Sequence, residues 1–303
     1  MTNSQENNKA LLYTTIAVLS WSTVATMFKM ALRHFSHFEM LLVASLTALI
    51  IFGIVMTIQK KWTDLGKVPA RQWEWFALVG LVNPVAYYLV LFKAYALLPA
   101  QIAQPINYSW PIILLILLAI FAHKPIPKVK YAGMFLSLSG VALISLLSGG
   151  IGGQSLPMAG LLLALLSACL WALYWIINNL NKAVDGTIAL FLSFLFGSVY
   201  LLIASVFVGI NLSSAQGLLS SIYVGIFEMG IPFVFFGLAI RKTNNPALIN
   251  QMCYLSPFLS LFLIHIILGE QIYFTTYLGL FLIVFGIVFN EYLAKYFSKE
   301  SKV

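Results

Sequence analysis

An acidic residue stands in the middle of a long apolar stretch. Glu228 lies in the segment SIYVGIFEMGIPFVFF, in which it is the only charged residue. A carboxylate at the centre of a membrane-spanning helix costs on the order of 3 kcal/mol, so it should face a cavity or a partner. It could be the counter-ion of an ammonium group, or a site that takes up and releases a proton. The alternative is a structural acid, either protonated or paired with a basic helix residue.

Two lysines also fall inside apolar stretches. Lys93 in YYLVLFKAYAL could meet the carboxylate of a small molecule, and together with Glu228 it would suit a zwitterion. Alternatively, Lys93 could extend toward the lipid headgroups or pair with Glu228 itself. Lys29 lies closer to the end of its stretch and is interpreted as an anchor of that extended kind.

Aromatic side chains recur at the depth of Glu228, and amide side chains accompany them. Among the amides, Asn178 lies at the end of its apolar run, where a hydrogen bond between helices is the alternative to a ligand contact. Tyrosine and tryptophan in membrane proteins normally belong to the interfaces, and these residues lie too deep for that. Aromatic walls offer an apolar side chain a large contact area and attract an ammonium group, although tight helix packing would also explain them. The candidate binding residues beside Glu228 and Lys93 are Trp21, Asn83, Tyr87, Tyr88, Asn107, Tyr108, Trp110, Trp171, Asn178 and Tyr254.

The composition indicates that these residues lie in lipid. The 303 residues are 61% hydrophobic and 9% charged, with a mean hydropathy of +0.95, whereas soluble domains carry about 25% charged residues. A spanning helix needs about 20 mostly apolar residues. Ten such runs predict an all-α membrane protein of ten transmembrane helices: 10–31, 38–58, 74–97, 99–121, 128–147, 157–181, 187–209, 217–240, 246–268 and 273–293.

The basic residues predict the orientation of the chain. With the N-terminus in the cytoplasm, most of the 17 Lys and Arg residues fall in cytoplasmic links, as positive charges do in membrane proteins. Both termini, including a tail at 294–303, are then cytoplasmic. The net charge of +8 is thus explained by orientation, and no nucleic-acid partner is expected.

Two segments of the sequence resemble each other at an offset of 146 residues. Sliding 108–144 onto 254–290 matches Tyr108 with Tyr254, Pro111 with Pro257, Gly133 with Gly279 and Gly140 with Gly286. The halves 1–148 and 157–293 then hold five helices each. Because five is odd, the second repeat is inverted relative to the first around a central cavity. This explains why His123-Lys124 ends the first segment on the cytoplasmic side, whereas Gly269-Glu270 ends the second on the outer side.

These segments resemble a known superfamily. NNPALINQMCYLSPFLSLFLIHIILGEQIYFTTYLGLFLIVFGIVF resembles the EamA-type branch of the drug/metabolite transporter (DMT) superfamily, and WSTVATMFK and NYSWP resemble its bacterial aromatic amino acid exporters. The resemblance implies alternating-access export of amino acids, aromatic ones favoured, or similar small metabolites across the bacterial inner (plasma) membrane. His123-Lys124 departs from the Gly-Glu of the pattern, and Glu228 has no counterpart in the aromatic exporters.

Other functions remain open at this point. Within the superfamily, Glu228 alone would suffice for efflux of other metabolites or drug-like cations. A channel would require rings of like residues along a pore. A membrane-embedded enzyme would require machinery such as H-E-x-x-H or G-x-S-x-G, which the sequence lacks. The expected partners are therefore a small-molecule substrate, the lipid bilayer and, as a coupling ion, protons, with no metal or cofactor. Proton exchange and facilitated diffusion stay open as driving forces.

Overall fold

The computed structural model describes residues 3–121, 128–147, 156–180, 183–243 and 246–290. Throughout these residues the chain forms helices joined by short connections. The pair His123-Lys124, most of the link at 148–157 and the tail at 294–303 lie outside the described residues.

Each of the ten predicted runs contains a helix, numbered here in chain order. They are α1 (Asn3–Leu32), α2 (His37–Ile58), α3 (Ala70–Leu97), α4 (Ala100–Phe121), α5 (Lys130–Leu147), α6 (Met158–Leu180), α7 (Gly186–Val208), α8 (Ala215–Lys242), α9 (Leu248–Leu268, preceded by a first turn from Pro246) and α10 (Phe274–Val288). Eight of the described helices are long and apolar enough to cross a membrane, and the apolar parts of α5 and α10 are shorter. The chain is therefore a multi-pass membrane protein, and the count of ten spans stays a prediction.

The first helix starts earlier than its apolar run, which begins at residue 10. Polar residues from Asn3 onward already form helix. Lys242, at the end of α8, donates to Glu6 Oε2 over 2.6 Å, and this contact holds the polar first turns of α1 against the bundle.

Four helices are interrupted near their middles. In α3 the helix is kinked within Leu81–Ala86, where Asn83 has an extended backbone (φ −140°, ψ 117°). In α8 a wide π-helical turn at Gly225–Gly230 separates two α-helical segments. In α4 and α9 the α-helix is interrupted at Tyr108-Ser109 and at Tyr254. A proline lies in or just after each interruption (Pro84, Pro111, Pro232 and Pro257). Proline has no N–H to donate to the preceding turn, so the regular hydrogen-bond pattern cannot continue.

Helices α5 and α10 cross in close contact. The backbone at Gly133 lies against that at Gly286, and Gly140 lies against Gly279, so a Cβ atom at any of these positions would overlap the facing helix. Ser137 Oγ donates to the carbonyl of Ile283 over 2.9 Å. Because the start of α5 meets the end of α10, these two helices run antiparallel.

Polar contacts mark the two ends of the bundle. At the end that holds the start of α1, called here the N-terminal end, Asp185 Oδ1 accepts from Lys61 at 2.6 Å and Asp185 Oδ2 from Arg241 at 3.4 Å. At the opposite end, called here the Glu270 end, the Glu270 carboxylate accepts from the backbone N–H groups of Ala100 and Gln101 at 3.1 and 3.3 Å. A carboxylate at the first turn of α4 complements the positive end of the helix dipole.

Candidate functional site

A cavity of about 460 Å³ lies between the interrupted helices. It is enclosed by side chains of α1, α3, α4, α6, α8 and α9 and by residues at the start of α5 and at the end of α10. Most of the residues predicted to bind a ligand line it: Trp21, Tyr87, Asn107, Tyr108, Trp110, Trp171, Glu228 and Tyr254. Residues far apart in the sequence thus converge on one chamber.

Glu228 lines the chamber from the wide turn of α8. The residue is 9% exposed, and its Oε1 accepts a hydrogen bond from the hydroxyl of Tyr88 at 3.2 Å. Tyr88 is fully buried and does not itself line the chamber. The second carboxylate oxygen has no protein donor in the described residues, which leaves Glu228 able to accept from a ligand.

The backbone next to Glu228 is held from α1. In a regular α-helix the Glu228 carbonyl would accept from residue 232, but Pro232 has no N–H. The indole Nε1 of Trp21 donates to this carbonyl over 3.2 Å instead. Trp21 therefore both lines the chamber and fixes the turn that carries the acid.

Aromatic rings form the chamber wall around Trp171. Its ring centroid lies 4.7 Å from that of Tyr87 and 5.9 Å from that of Phe233. Nearby, Trp110 stacks on Trp175 with centroids 6.0 Å apart and an interplanar angle of 8°. Such a wall offers flat apolar surfaces and negative ring faces, which suit an apolar or aromatic group that carries an amine.

Asn107 joins α4 to α3 and α6 at the chamber. Its Oδ1 accepts from the Tyr87 hydroxyl at 3.5 Å, and its Nδ2 donates to Ser167 Oγ at 2.9 Å. Ser167 in turn donates to the carbonyl of Ala164 at 2.7 Å. This network sets the ring of Tyr87 against Trp171.

The structure leaves four predicted binding residues outside the lining of this chamber: Tyr88, which contacts Glu228 from behind the wall, and Asn83, Lys93 and Asn178. Lys93 is exposed and does not line it, so the two poles expected for a zwitterion, Lys93 and Glu228, do not face each other across it. Asn83 is fully buried within the kink of α3. Asn178 lines a smaller cavity of about 180 Å³ that shares the rings of Trp21 and Trp171 with the chamber.

Lys29 behaves differently from a headgroup anchor. Its Nζ donates to the carbonyls of Tyr95 and Leu98 at 2.9 and 3.0 Å, at the end of α3. A cation there satisfies carbonyls that the helix end leaves free.

Several lining residues were not predicted as ligand contacts. Trp175 follows Trp171 by one helical turn and so shares its face, a signal present in the sequence. Gln104, Lys130 and Asn250, which are not among the candidate binding residues of the sequence analysis, line the chamber as well. Further lining residues without a prediction are Phe28, Tyr95, Phe233, Phe236 and Asn290.

The chamber offers no constellation for metal chemistry in the parts of the chain that the structure describes. Groups of three His, Cys, Asp or Glu side chains are absent there. The Cys169 and Cys253 thiols are both free. What the arrangement can do is bind: one buried carboxylate, a few amides and a large aromatic surface.

Comparison with known proteins adds the family. The sequence model of the EamA-like transporter family matches residues 8–146 and again 158–292. The chain is similar to an uncharacterized transporter of Clostridium kluyveri, with 29% identity over 174 residues, a match that spans 55% of each chain. It is also similar to two uncharacterized transporters of Bacillus subtilis. Identity to YvbV is 26% over 71% of this chain and 70% of that one, and identity to YdfC is 26% over 85% and 81%.

A solved crystal structure has the same fold. It aligns with 96% of this chain and 99% of its own, with a TM-score of 0.68 and 19% sequence identity. At this identity the likeness extends to the fold alone.

Proposed function

Because the chain belongs to the EamA-like transporter family of the DMT superfamily, we propose that it exports amino acids, aromatic ones favoured, or similar small metabolites across a bacterial inner membrane. One observation carries the proposal: a buried carboxylate, Glu228, faces an aromatic-walled chamber of about 460 Å³. The carboxylate binds the ammonium group of the substrate, and the rings around Trp171 contact its apolar side chain.

Glu228 is also the proposed proton site. A carboxylate that binds either a proton or a substrate ammonium, but not both, couples their movements in opposite directions. The hydrogen bond from Tyr88 keeps the carboxylate directed into the chamber. Without such coupling, the same chamber would work by facilitated diffusion.

The proposed architecture is ten spans in two inverted repeats. The crossing of α5 and α10 supports it. At the 146-residue offset Gly279 is the counterpart of Gly133, and Gly286 is the counterpart of Gly140. Gly133 contacts Gly286 and Gly140 contacts Gly279, so each glycine meets the counterpart of the other. Between these glycines, the hydroxyl of Ser137 donates to the carbonyl of Ile283, which is its own counterpart at this offset. Contacts of this kind are expected where a two-fold axis in the membrane plane passes between repeats.

The difference between the two ends of the chamber supports transport by alternating access. The chamber extends to the N-terminal end of the bundle, where the exposed Asn250 is one of its lining residues. Toward the Glu270 end, Phe28 is buried against Phe92 and Tyr95, with ring centroids 4.9 and 5.0 Å apart. With cytoplasmic termini, this arrangement admits substrate from the cytoplasm, the side from which export begins.

Efflux of drug-like organic cations is the second candidate. Lys93 is exposed, so no basic side chain described by the structure stands opposite Glu228 deep in the chamber. A substrate with an amine and an aromatic body, but no carboxylate, would bind Glu228 and the rings around Trp171 as well as an aromatic amino acid does.

Transport by purified protein in proteoliposomes tests both candidates. The substrates are phenylalanine and its decarboxylated analogue phenethylamine, each with and without an imposed pH gradient. We expect the parent to move phenylalanine faster with the gradient and Glu228→Gln to lose that stimulation. Glu74→Gln, at an exposed acid of α3, is the control and should match the parent.

Transport of phenethylamine alone would select the cation candidate. Unchanged transport by Glu228→Gln would remove Glu228 from the mechanism. Ion currents that greatly exceed the substrate flux would instead indicate a channel.

A further inference from the structure

We propose that Lys130 and Asn290 form a second binding subsite in the chamber, one that receives the carboxylate of the substrate at the N-terminal end before the amine reaches Glu228. The inference rests on the proposed function and deepens it, because it makes acidic substrates distinguishable from plain amines.

Asn290 carries the first part of the argument. The residue is 4% exposed and lines the chamber, yet neither Nδ2 nor Oδ1 has a hydrogen-bond partner among the residues that the structure describes. A buried amide left unpaired destabilises the protein, so a group that enters the chamber and bonds to it is favoured there. Its Nδ2 can donate to a carboxylate oxygen.

Lys130 adds the charge. It is half-buried and lines the chamber, and it forms no ion pair with any described residue. Lys130 is the first residue of α5, where the helix dipole also favours a negative group. Among the described lining residues, Lys130 is the basic one and Glu228 the acidic one.

The crossing of α5 and α10 places Asn290 against the helix that begins with Lys130. Gly133 lies one turn after Lys130, and a Cβ atom there would overlap the amide of Asn290. The glycine therefore leaves the space that Asn290 occupies against α5. Because Gly133 also contacts the backbone at Gly286, the approach of the two helices holds Asn290 close to the helix that carries Lys130.

The two charged groups lie at different depths. Glu228 is 14 residues before Lys242, the last residue of α8, which corresponds to about 20 Å of helix, whereas Lys130 begins its helix. In an α-amino acid a single carbon separates amine and carboxylate, so one molecule cannot reach both groups at once. The subsite thus acts in succession with Glu228: Lys130 and Asn290 select and hold the acid at the entrance, and Glu228 binds the amine deeper in the chamber.

Transport kinetics of Lys130→Gln test this inference in proteoliposomes at constant ionic strength. For phenylalanine we expect KM to rise about tenfold, the equivalent of about 1.4 kcal/mol, while KM for phenethylamine changes less than twofold. Lys130→Arg should restore most of the phenylalanine affinity. Lys128→Gln is the matched control, because Lys128 is exposed and does not line the chamber; it should leave both KM values unchanged.

Asn290→Asp gives an independent test on the other helix. The substitution keeps the size of the side chain and replaces the amide donor by a carboxylate, a second acid in the chamber beside Glu228. It should raise KM for phenylalanine and leave KM for phenethylamine unchanged. Equal changes for both substrates, or none in Lys130→Gln, would overturn the subsite while leaving the proposed function intact. A parent that moves phenethylamine but not phenylalanine also overturns it. If the parent moves neither, the proposed function fails and the subsite with it.

Discussion

The hydroxyl of Tyr88 donates to Oε1 of Glu228 over 3.2 Å and so joins the middle of α3 to the middle of α8. These two helices hold equivalent positions in the two halves, and each is interrupted at this level, α3 by a kink and α8 by a wide turn. The buried acid is therefore held at the junction of the halves. Any rocking of one half against the other would change this contact.

Removal of the Tyr88 hydroxyl should weaken substrate binding without abolishing it. In Tyr88→Phe the Glu228 carboxylate loses a hydrogen bond of the kind worth about 1.5–3 kcal/mol, and with it the orientation toward the chamber. We expect KM for phenethylamine to rise at least threefold in the proteoliposome assay. Tyr200→Phe is the control, because that hydroxyl donates to the carbonyl of Ala77 away from the chamber. Equal behaviour of the two variants would contradict a role for Tyr88 in positioning the acid.

The aromatic wall should contribute directly to affinity. Trp171→Leu removes ring contacts and ring–cation attraction together worth about 1–2 kcal/mol, so KM for aromatic amines should rise about 5- to 30-fold. Trp171→Phe, which keeps a ring, should lose less. The control is Trp62→Leu, at a 45% exposed tryptophan outside the chamber. A Trp171→Leu protein with the parent's KM would show that the ring only packs helices.

The glycine crossing should tolerate no side chain. In Gly140→Ala the new methyl group meets the carbonyl of Gly279 and the side chain of Ile283, and overpacking of this kind costs about 1–3 kcal/mol. We expect a lower thermal unfolding midpoint in detergent. Gly237→Ala serves as the comparison, because the nearest atom to its added Cβ would be an Arg241 side-chain nitrogen at 3.9 Å. A midpoint in Gly140→Ala at or above that of Gly237→Ala would argue against the close crossing.

The Asp185 cluster at the N-terminal end should make stability depend on pH. Burial by itself raises the pKa of Asp185, but hydrogen bonds from Lys61 and from the Thr187 N–H, with the charges of Lys61 and Arg241, lower the pKa below its ordinary value of 3.8. A lowered pKa means that the ionised form is favoured in the folded protein. The resulting stabilisation is present above pH 3.8 and is lost as the pH falls through the lower, folded-state pKa.

Asp185→Asn isolates that charge, because asparagine can still cap the start of α7 as Asp185 does through the Thr187 N–H. Near pH 7 we expect its unfolding midpoint to lie below the parent's by at most about 4 °C. The gap should narrow as the pH falls below 4. A gap that stays constant over this range would show that the charge of Asp185, and so its ion pairs, does not account for the difference in midpoint.

Much of the helical architecture could be predicted from the apolar runs. Lipid offers no hydrogen bonds to the backbone, so a long apolar segment must satisfy its own N–H and C=O groups as a helix. For the same reason Glu228, Trp171 and Tyr108 could be recognised as residues that avoid lipid. The family could also be predicted from the repeated segments around Tyr108 and Tyr254, because their prolines and glycines recur at one offset.

The rotation of each helix about its axis could not be predicted in this way. Lys93 and Tyr87 belong to one regular helical segment and are six residues apart, about 240° around the axis. One of them can face the chamber and the other cannot, and hydropathy alone did not reveal that Tyr87 is the inward one. The predicted pairing of Lys93 with a substrate carboxylate depended on that choice.

By itself, then, the sequence determined that this protein crosses the membrane repeatedly as helices, belongs to a transporter family and keeps an acid and aromatic rings away from lipid, because local composition and spacing decide these properties. Only the tertiary structure decided which side chains converge: that Tyr88 donates to Glu228, that Trp21 donates to the Glu228 carbonyl and that Lys130 and Asn290 line the same chamber as Glu228. The reason is physical. Such contacts depend on helix rotation and on the close approach of glycines such as Gly133 and Gly286, which follow from the packing of all the helices together.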